Sequence, residues 1–164
     1  MLKLIFLDVD GVLNHDKSRA RCGSVKGIDR DKVERLAKIV SETGAKIVLS
    51  STWKTSLDAE LNPTDKYGKY LLKYLWEYGK IKIFDKTGDY SPWDRGTEII
   101  TWFEEHKDFK VGTWIVIDDE IFDDYRRMGI LPRLVKTSWY DNGLQDEHVE
   151  KAIELLNKRK QDEH

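Results

Sequence analysis

Long hydrophobic runs are missing from this sequence. The N-terminal stretch "MLKLIFLDVDG" is apolar for only about seven residues before its first acid, too short for a signal-peptide core or a membrane span. It reads as a strand instead. Cysteine is nearly absent: Cys22 is alone, so no internal disulfide can form, and a reducing cytoplasm fits. An excess of one charge is also lacking. Lys and Arg number 28 against 30 Asp and Glu, a net charge of -2, so nothing steers the whole molecule toward nucleic acid or an anionic membrane. A local basic patch stays open. Repeats and low-complexity segments are absent as well. What remains is the expectation of a cytoplasmic enzyme or binding protein.

The composition, 40% hydrophobic and 35% charged over 164 residues, suits one domain over 1–164 with one core. Strand and helix signals alternate along it. "KLIFL" (3–7), "AKIVLS" (45–50), "KIKIF" (80–84), "TWIVIDD" (113–119) and "RLVKT" (133–137) read as strands. Helices are expected from Asp29, as a cap, to Gly44, and over 65–79, 95–106 and 146–160. Residues 14–28, polar and basic with two glycines, read as a flap. Strands alternating with helices favour βαβ units, hence an α/β fold with a mostly parallel sheet between helix layers. Ligands of such sheets bind beyond the carboxyl ends of the strands.

Polar residues close three of those strands. Asp8 and Asp10 end the first, Ser50 the second, and Asp118 and Asp119 the fourth. Turn formation alone would explain one Asp-x-Asp-Gly, but a second acid pair ends another strand. Two unit charges about 4 Å apart repel by roughly 4 kcal/mol at an effective dielectric near 20. A crevice gathering such acids needs a cation. A hard divalent ion with oxygen ligands fits, and Mg²⁺ suits a phosphate site.

These residues carry a family resemblance. "FLDVDGVL" resembles the first motif of the haloacid dehalogenase (HAD) superfamily of phosphohydrolases. "KIVLSS" with Ser50 is similar to the second motif, Arg95 in "WDRGTEIITWF" to the third, and "WIVIDDEIFDD" to the fourth. The tail "GLQDEHVEKAIELL" resembles the closing segment of small members, so the likeness spans almost the whole chain. It implies a three-layer Rossmann-like fold and a phosphomonoesterase acting through an aspartyl-phosphate.

Carried over residue by residue, the resemblance makes Asp8 the nucleophile and Asp10 the general acid and base, with the Asp10 backbone carbonyl on the metal. Gly11 lets the chain turn close to the phosphate. Ser50 hydrogen-bonds a phosphoryl oxygen, with Ser51 as its neighbour and competitor. Arg95 stabilises the transferring group, with Lys80, Lys82 and Lys86 as rivals for that place. The metal set is Asp8, Asp10, Asp119 as a direct ligand, and Asp118 through water or as a holder of the ligand shell. Asp123 and Asp124 are either further metal partners or solvated acids.

The gaps between motifs are too short for a large cap domain, so the expectation is a capless member with an open crevice. Such a site suits a macromolecular end, while a nucleotide or sugar phosphate also fits. The flap offers Arg19 and Arg21, with His15, Lys17 and Lys26, to a substrate's other phosphates. Trp53, and Tyr90 with Trp93, are candidates for stacking on a base or for the core. "DVDGVLN" with "SSTW" is also similar to HAD domains of RNA-repair proteins, which brings in nucleic-acid ends as substrates. Three other readings stay in view. A phosphoreceiver module would need an acid where Ser50 stands. A phosphotransferase or mutase shares the aspartyl-phosphate step, and a non-catalytic HAD-fold binding protein shares the fold.

Overall fold

The computed structural model describes residues 1–90 and 94–158. Its framework is a five-stranded, wholly parallel sheet. The strands are β1 (Leu2–Leu7), β4 (Lys46–Leu49), β5 (Ile83–Lys86), β6 (Val111–Asp118) and β7 (Leu134–Lys136), in the order β5-β4-β1-β6-β7. Two short strands, β2 (Arg21–Cys22) and β3 (Val25–Lys26), form a separate antiparallel hairpin within the flap. Among the described residues four α-helices flank the sheet: α1 (Arg30–Thr43), α2 (Lys66–Gly79), α3 (Arg95–Glu105) and α4 (Asp146–Asn157). No helix among the described residues is long and apolar enough to cross a membrane.

Two-residue periodicity along the strands divides the core into two layers. Ile5, Leu7, Ile47, Leu49, Ile115 and Ile117 face a cluster with Val33, Leu36 and Ile39 of α1, Leu71 and Leu75 of α2, and Val149 and Leu156 of α4. Leu4, Phe6, Val48 and Val116 face the opposite way, against Ile99 and Trp102 of α3. Because both faces are covered, the strands are apolar throughout rather than alternating with polar residues.

Chain order sets the site. From β1 the chain moves outward to β4 and β5, then returns to place β6 on the other side of β1. Their shared carboxyl end is the switch point where doubly wound sheets bind ligands. The β1–β6 register pairs Leu7 with Ile117, so the acids following each strand arrive side by side.

Several local expectations shift. The third strand runs over Ile83–Lys86, not 80–84. Helix α2 ends at Gly79 as expected, and Lys80 caps it in a left-handed conformation (φ 54°) that lets its amide reach the Leu75 and Trp76 carbonyls. Gly79 also serves close packing: a Cβ there would meet Val33 and Ala37 of α1 at 3.0 and 3.1 Å. Asp29 occupies the start of α1, but its carboxylate accepts the Ser18 hydroxyl at 2.5 Å and makes no cap hydrogen bond.

Candidate active site

Asp8 leaves β1 as a buried side chain, 6% exposed, its amide donating to the Ile117 carbonyl at 3.0 Å. Arg95, the first residue of α3, places Nη1 3.3 Å from Asp8 Oδ1 and 2.9 Å from Asp118 Oδ2. One guanidinium therefore bridges acids from the two central strands. Its position is fixed from two sides. Phe122 lies beneath it, with 4.5 Å from the guanidinium carbon to the ring centroid. Asp124, 2% exposed, accepts the Gly96 and Thr97 amides at 3.0 and 2.7 Å and the Thr97 hydroxyl at 3.0 Å. Asp124 thus caps the helix that carries Arg95, whereas Asp123 is exposed.

The rival lysines sit elsewhere. Lys80 and Lys82 lie over the ring of Trp76. Lys86 donates to the Lys54 and Leu57 carbonyls at 3.1 and 2.6 Å.

Asp8, Asp118 and Asp119 each offer an oxygen within 4.8 Å of the other two, the one such metal-competent cluster among the described residues. Their surroundings differ. Asp118, 1% exposed, accepts from Arg95, from the Tyr125 hydroxyl at 3.0 Å and from the Glu120 amide at 3.0 Å. Asp119 is half-buried above Gly11. A Cβ on Gly11 would fall 2.0 Å from Asp119 Oδ2, and the φ of 84° there already favours glycine. Thr137, which the sequence reading missed, ties this corner together. Its hydroxyl donates to the Gly11 carbonyl at 2.6 Å and its amide to the Asp118 carbonyl at 3.0 Å.

Burial and crowding raise the pKa values of Asp8 and Asp119. Burial, then the charge of Asp118, holds Asp8 well above the usual carboxylate range, with Arg95 opposing. The same two causes push Asp119 up to about 6. Arg95, facing Asp8 and Asp118, is held more firmly cationic despite its own burial. The donor set is all hard oxygen and carries more negative charge than one guanidinium can offset, so it fits Mg²⁺.

Asp10 departs from the expected grouping of four acids. Its carboxylate lies outside the cluster and accepts from Asn14 Nδ2 at 2.8 Å and Trp53 Nε1 at 3.1 Å. Trp53 is therefore no free stacking platform: it is 7% exposed and packs against Tyr67 and Tyr70. Tyr90 is exposed, its hydroxyl on Glu105, and Trp93 lies outside the described residues.

Ser50 closes β4 with its amide on the Leu7 carbonyl. Its hydroxyl is 1% exposed and, among the described residues, is the one buried side-chain polar atom without a hydrogen-bond partner. A buried hydroxyl left unpaired costs about 1–3 kcal/mol, and an incoming phosphoryl oxygen would remove that cost. Ser51 instead accepts the Trp53 amide at 3.2 Å and starts the turn Thr52–Ser56. Arg19, Arg21 and Lys17 are exposed on the flap, and Lys26 donates to the Ser18 carbonyl. His15 lies 3.6 Å from Asp29.

The family model for the HAD domain in Swiss Army Knife RNA repair proteins matches residues 4–149, nearly the whole chain. The protein belongs to this HAD family. No curated protein matches it. As a HAD domain it places its acids at the carboxyl ends of β1 and β6, as the motifs imply.

A buried ion pair braces this HAD site from behind. Lys54 Nζ lies 2.7 Å from Glu98 of α3, and donates to the Gly88 carbonyl at 2.9 Å and to Thr87 at 3.2 Å. Lys54→Met should cost about 3–5 kcal/mol, because Glu98 is then left buried without its cation. Lys54→Met combined with Glu98→Leu should recover part of that loss in urea unfolding. A double variant as unstable as the single would disprove this account.

Proposed function

We propose that this protein is a Mg²⁺-dependent phosphomonoesterase that works through an aspartyl-phosphate on Asp8. The observation that carries the reading is one buried carboxylate, Asp8, standing between a fixed guanidinium and two further acids, with the orphan hydroxyl of Ser50 on the adjacent strand. Asp8 attacks phosphorus while the bond to the ester oxygen breaks, and that oxygen takes a proton from Asp10. Water then attacks phosphorus, returns its proton to Asp10, and releases phosphate with Asp8 restored. Arg95 and Ser50 hold the phosphoryl oxygens as charge builds on them.

Asp8, Asp119 and the Asp10 backbone carbonyl would hold the metal. Asp118, already taking three donors, keeps the shell in place. Bound Mg²⁺ would supply the positive charge that keeps Asp8 ionised and draws in the phosphate. The matched family occurs in RNA repair proteins, and the described residues between Asp10 and Arg95 hold only the hairpin, one turn, α1, α2, β4 and β5. Both support a phosphorylated nucleotide or nucleic-acid end as substrate.

The test is hydrolysis of p-nitrophenyl phosphate and of 3′- and 5′-phosphorylated oligonucleotides with Mg²⁺. Activity that stops with a chelator and returns with Mg²⁺ supports the reading. A purified, folded protein inert toward nucleotides, oligonucleotide ends, sugar phosphates and phosphopeptides alike would favour the non-catalytic binding protein.

A pH effect follows independently of turnover. Asp8 and Asp119 bind protons more tightly in the folded state than in the unfolded chain, where the ordinary Asp value is 3.8. Stability of the metal-free protein is therefore lost as pH rises through about 6. The melting temperature should fall between pH 5 and 7.5 in chelator. Mg²⁺ should raise it at pH 7.5, where fewer protons compete for the carboxylates, and raise it less near pH 5. A melting temperature indifferent to Mg²⁺ at pH 7.5 would count against the metal site.

A further inference from the structure

We propose that Trp53 is a positioning residue for the acid–base step, fixing the Asp10 carboxylate through its indole N–H. The inference rests on the phosphatase reading above and adds to it a residue that acts without touching substrate.

Asp10 is gripped at both oxygens. Asn14 Nδ2 donates to Oδ1 at 2.8 Å, and Trp53 Nε1 donates to Oδ2 at 3.1 Å. Two donors on different oxygens stop the carboxyl group from rotating about its terminal torsion, which is otherwise broad. Each carboxylate oxygen has about two acceptor sites, so one on each is left for a substrate proton.

Both donors are themselves immobile. Asn14 is fully buried, accepts the Gly11 amide at 2.9 Å and donates to the Gly27 carbonyl at 2.9 Å. Trp53 sits on the turn Thr52–Ser56, which Ser51 caps through the Trp53 amide, and its ring packs on Tyr67 and Tyr70. The indole is a donor only and stays neutral, so it orients Asp10 without competing for the proton in transfer. The turn begins two residues after Ser50, with Ser51 as its cap. One short segment therefore supplies the hydroxyl facing the phosphate and the donor that aims the acid, which fixes the distance between them.

The chemistry gives this role a signature that general destabilisation lacks. A nitrophenolate departs without a proton, whereas an alkoxide such as a nucleoside hydroxyl needs one from Asp10. Trp53→Phe keeps an aromatic ring at the site and loses the donor. The ratio of kcat/KM on a nucleoside monophosphate to kcat/KM on p-nitrophenyl phosphate, which reports leaving-group departure and not the later water attack that both substrates share, should fall at least about tenfold, within the range that acid–base catalysis contributes. An unchanged ratio, with both rates reduced together, would overturn the proposal in favour of a packing role.

A second measurement needs no turnover. In ¹H–¹⁵N spectra, the indole N–H resonance that Trp53→Phe removes should be shifted in Asp10→Asn, since the charged acceptor is gone. An unmoved resonance would overturn the proposal, whatever the activity. Wild-type protein inactive on every phosphate ester, with the resonance shift present, would reject the phosphatase reading and leave the clamp on Asp10 standing.

Discussion

Asp8→Asn is expected to lower kcat at least about 10⁴-fold, the scale seen when a covalent nucleophile is removed. The amide keeps the shape of the carboxylate but cannot form the acyl-phosphate bond. The expected stability change has the opposite sense. Asp8 is buried beside Asp118 and Asp119, and its charge is disfavoured there by burial and by Asp118. A neutral side chain removes that repulsion. Without Mg²⁺ at pH 7.5, Asp8→Asn should therefore melt no lower than wild type, and the stabilisation that Mg²⁺ gives should shrink because a ligand charge is lost. Full activity in this variant would refute the nucleophile assignment. A collapse in melting temperature would show instead that the Asp8–Arg95 pair outweighs the crowding. Function and stability pulling apart at one side chain is the usual mark of a site built for chemistry.

Arg95→Ala is the second large effect, and here both quantities should fall. The substitution strips the single described cation from two buried carboxylates, Asp8 and Asp118. Breaking a buried pair on one side typically costs about 3–5 kcal/mol. Loss of the charge facing the transferring phosphoryl group should lower kcat by about 10²–10³-fold, as for a single preorganised donor. The pH dependence separates this from loosened packing. With Arg95 gone, folded-state carboxyl pKa values rise further, so the stability deficit should be greatest at pH 7.5 and smaller at pH 5, where protons replace the missing cation. Arg95→Lys should restore more stability than rate, because an ammonium supplies the charge without the planar group that rests on Phe122 and holds Nη1 between Asp8 and Asp118. A deficit equal at both pH values would remove the electrostatic explanation. If Lys86→Ala proved the damaging change, Arg95 would not be the third-motif cation.

Most of the framework could be read directly from the residues. The run Leu4–Leu7 is apolar at every position because both sheet faces are covered, and helix periodicity places Val33, Leu36 and Ile99 inward. The acids closing β1 and β6 announce a charged crevice before any coordinates are known. Misreadings fell where a local signal had two outlets. The apolar alternation after Gly79 looked like a strand from 80, but Lys80 caps α2 and β5 begins at Ile83. Asp124 looked like a solvated acid or a metal partner but caps α3 from 28 residues beyond Gly96. Trp53 offered an aromatic face to the eye, while in the fold its N–H is the working end.

The sequence by itself determined the order of elements, the layers of the core and which residues carry the chemistry, since helix and strand periodicity and turn chemistry are properties of neighbouring residues. Only the tertiary structure decided which of those groups meet. Asp8 and Asp118 are separated by most of the chain and come together through the pairing of β1 with β6. Arg95 bridges them because α3 packs on that face, and Asp10 turns away to Trp53 because the turn after β4 reaches it. Contacts of that kind depend on strand order and register, which no local stretch of residues encodes.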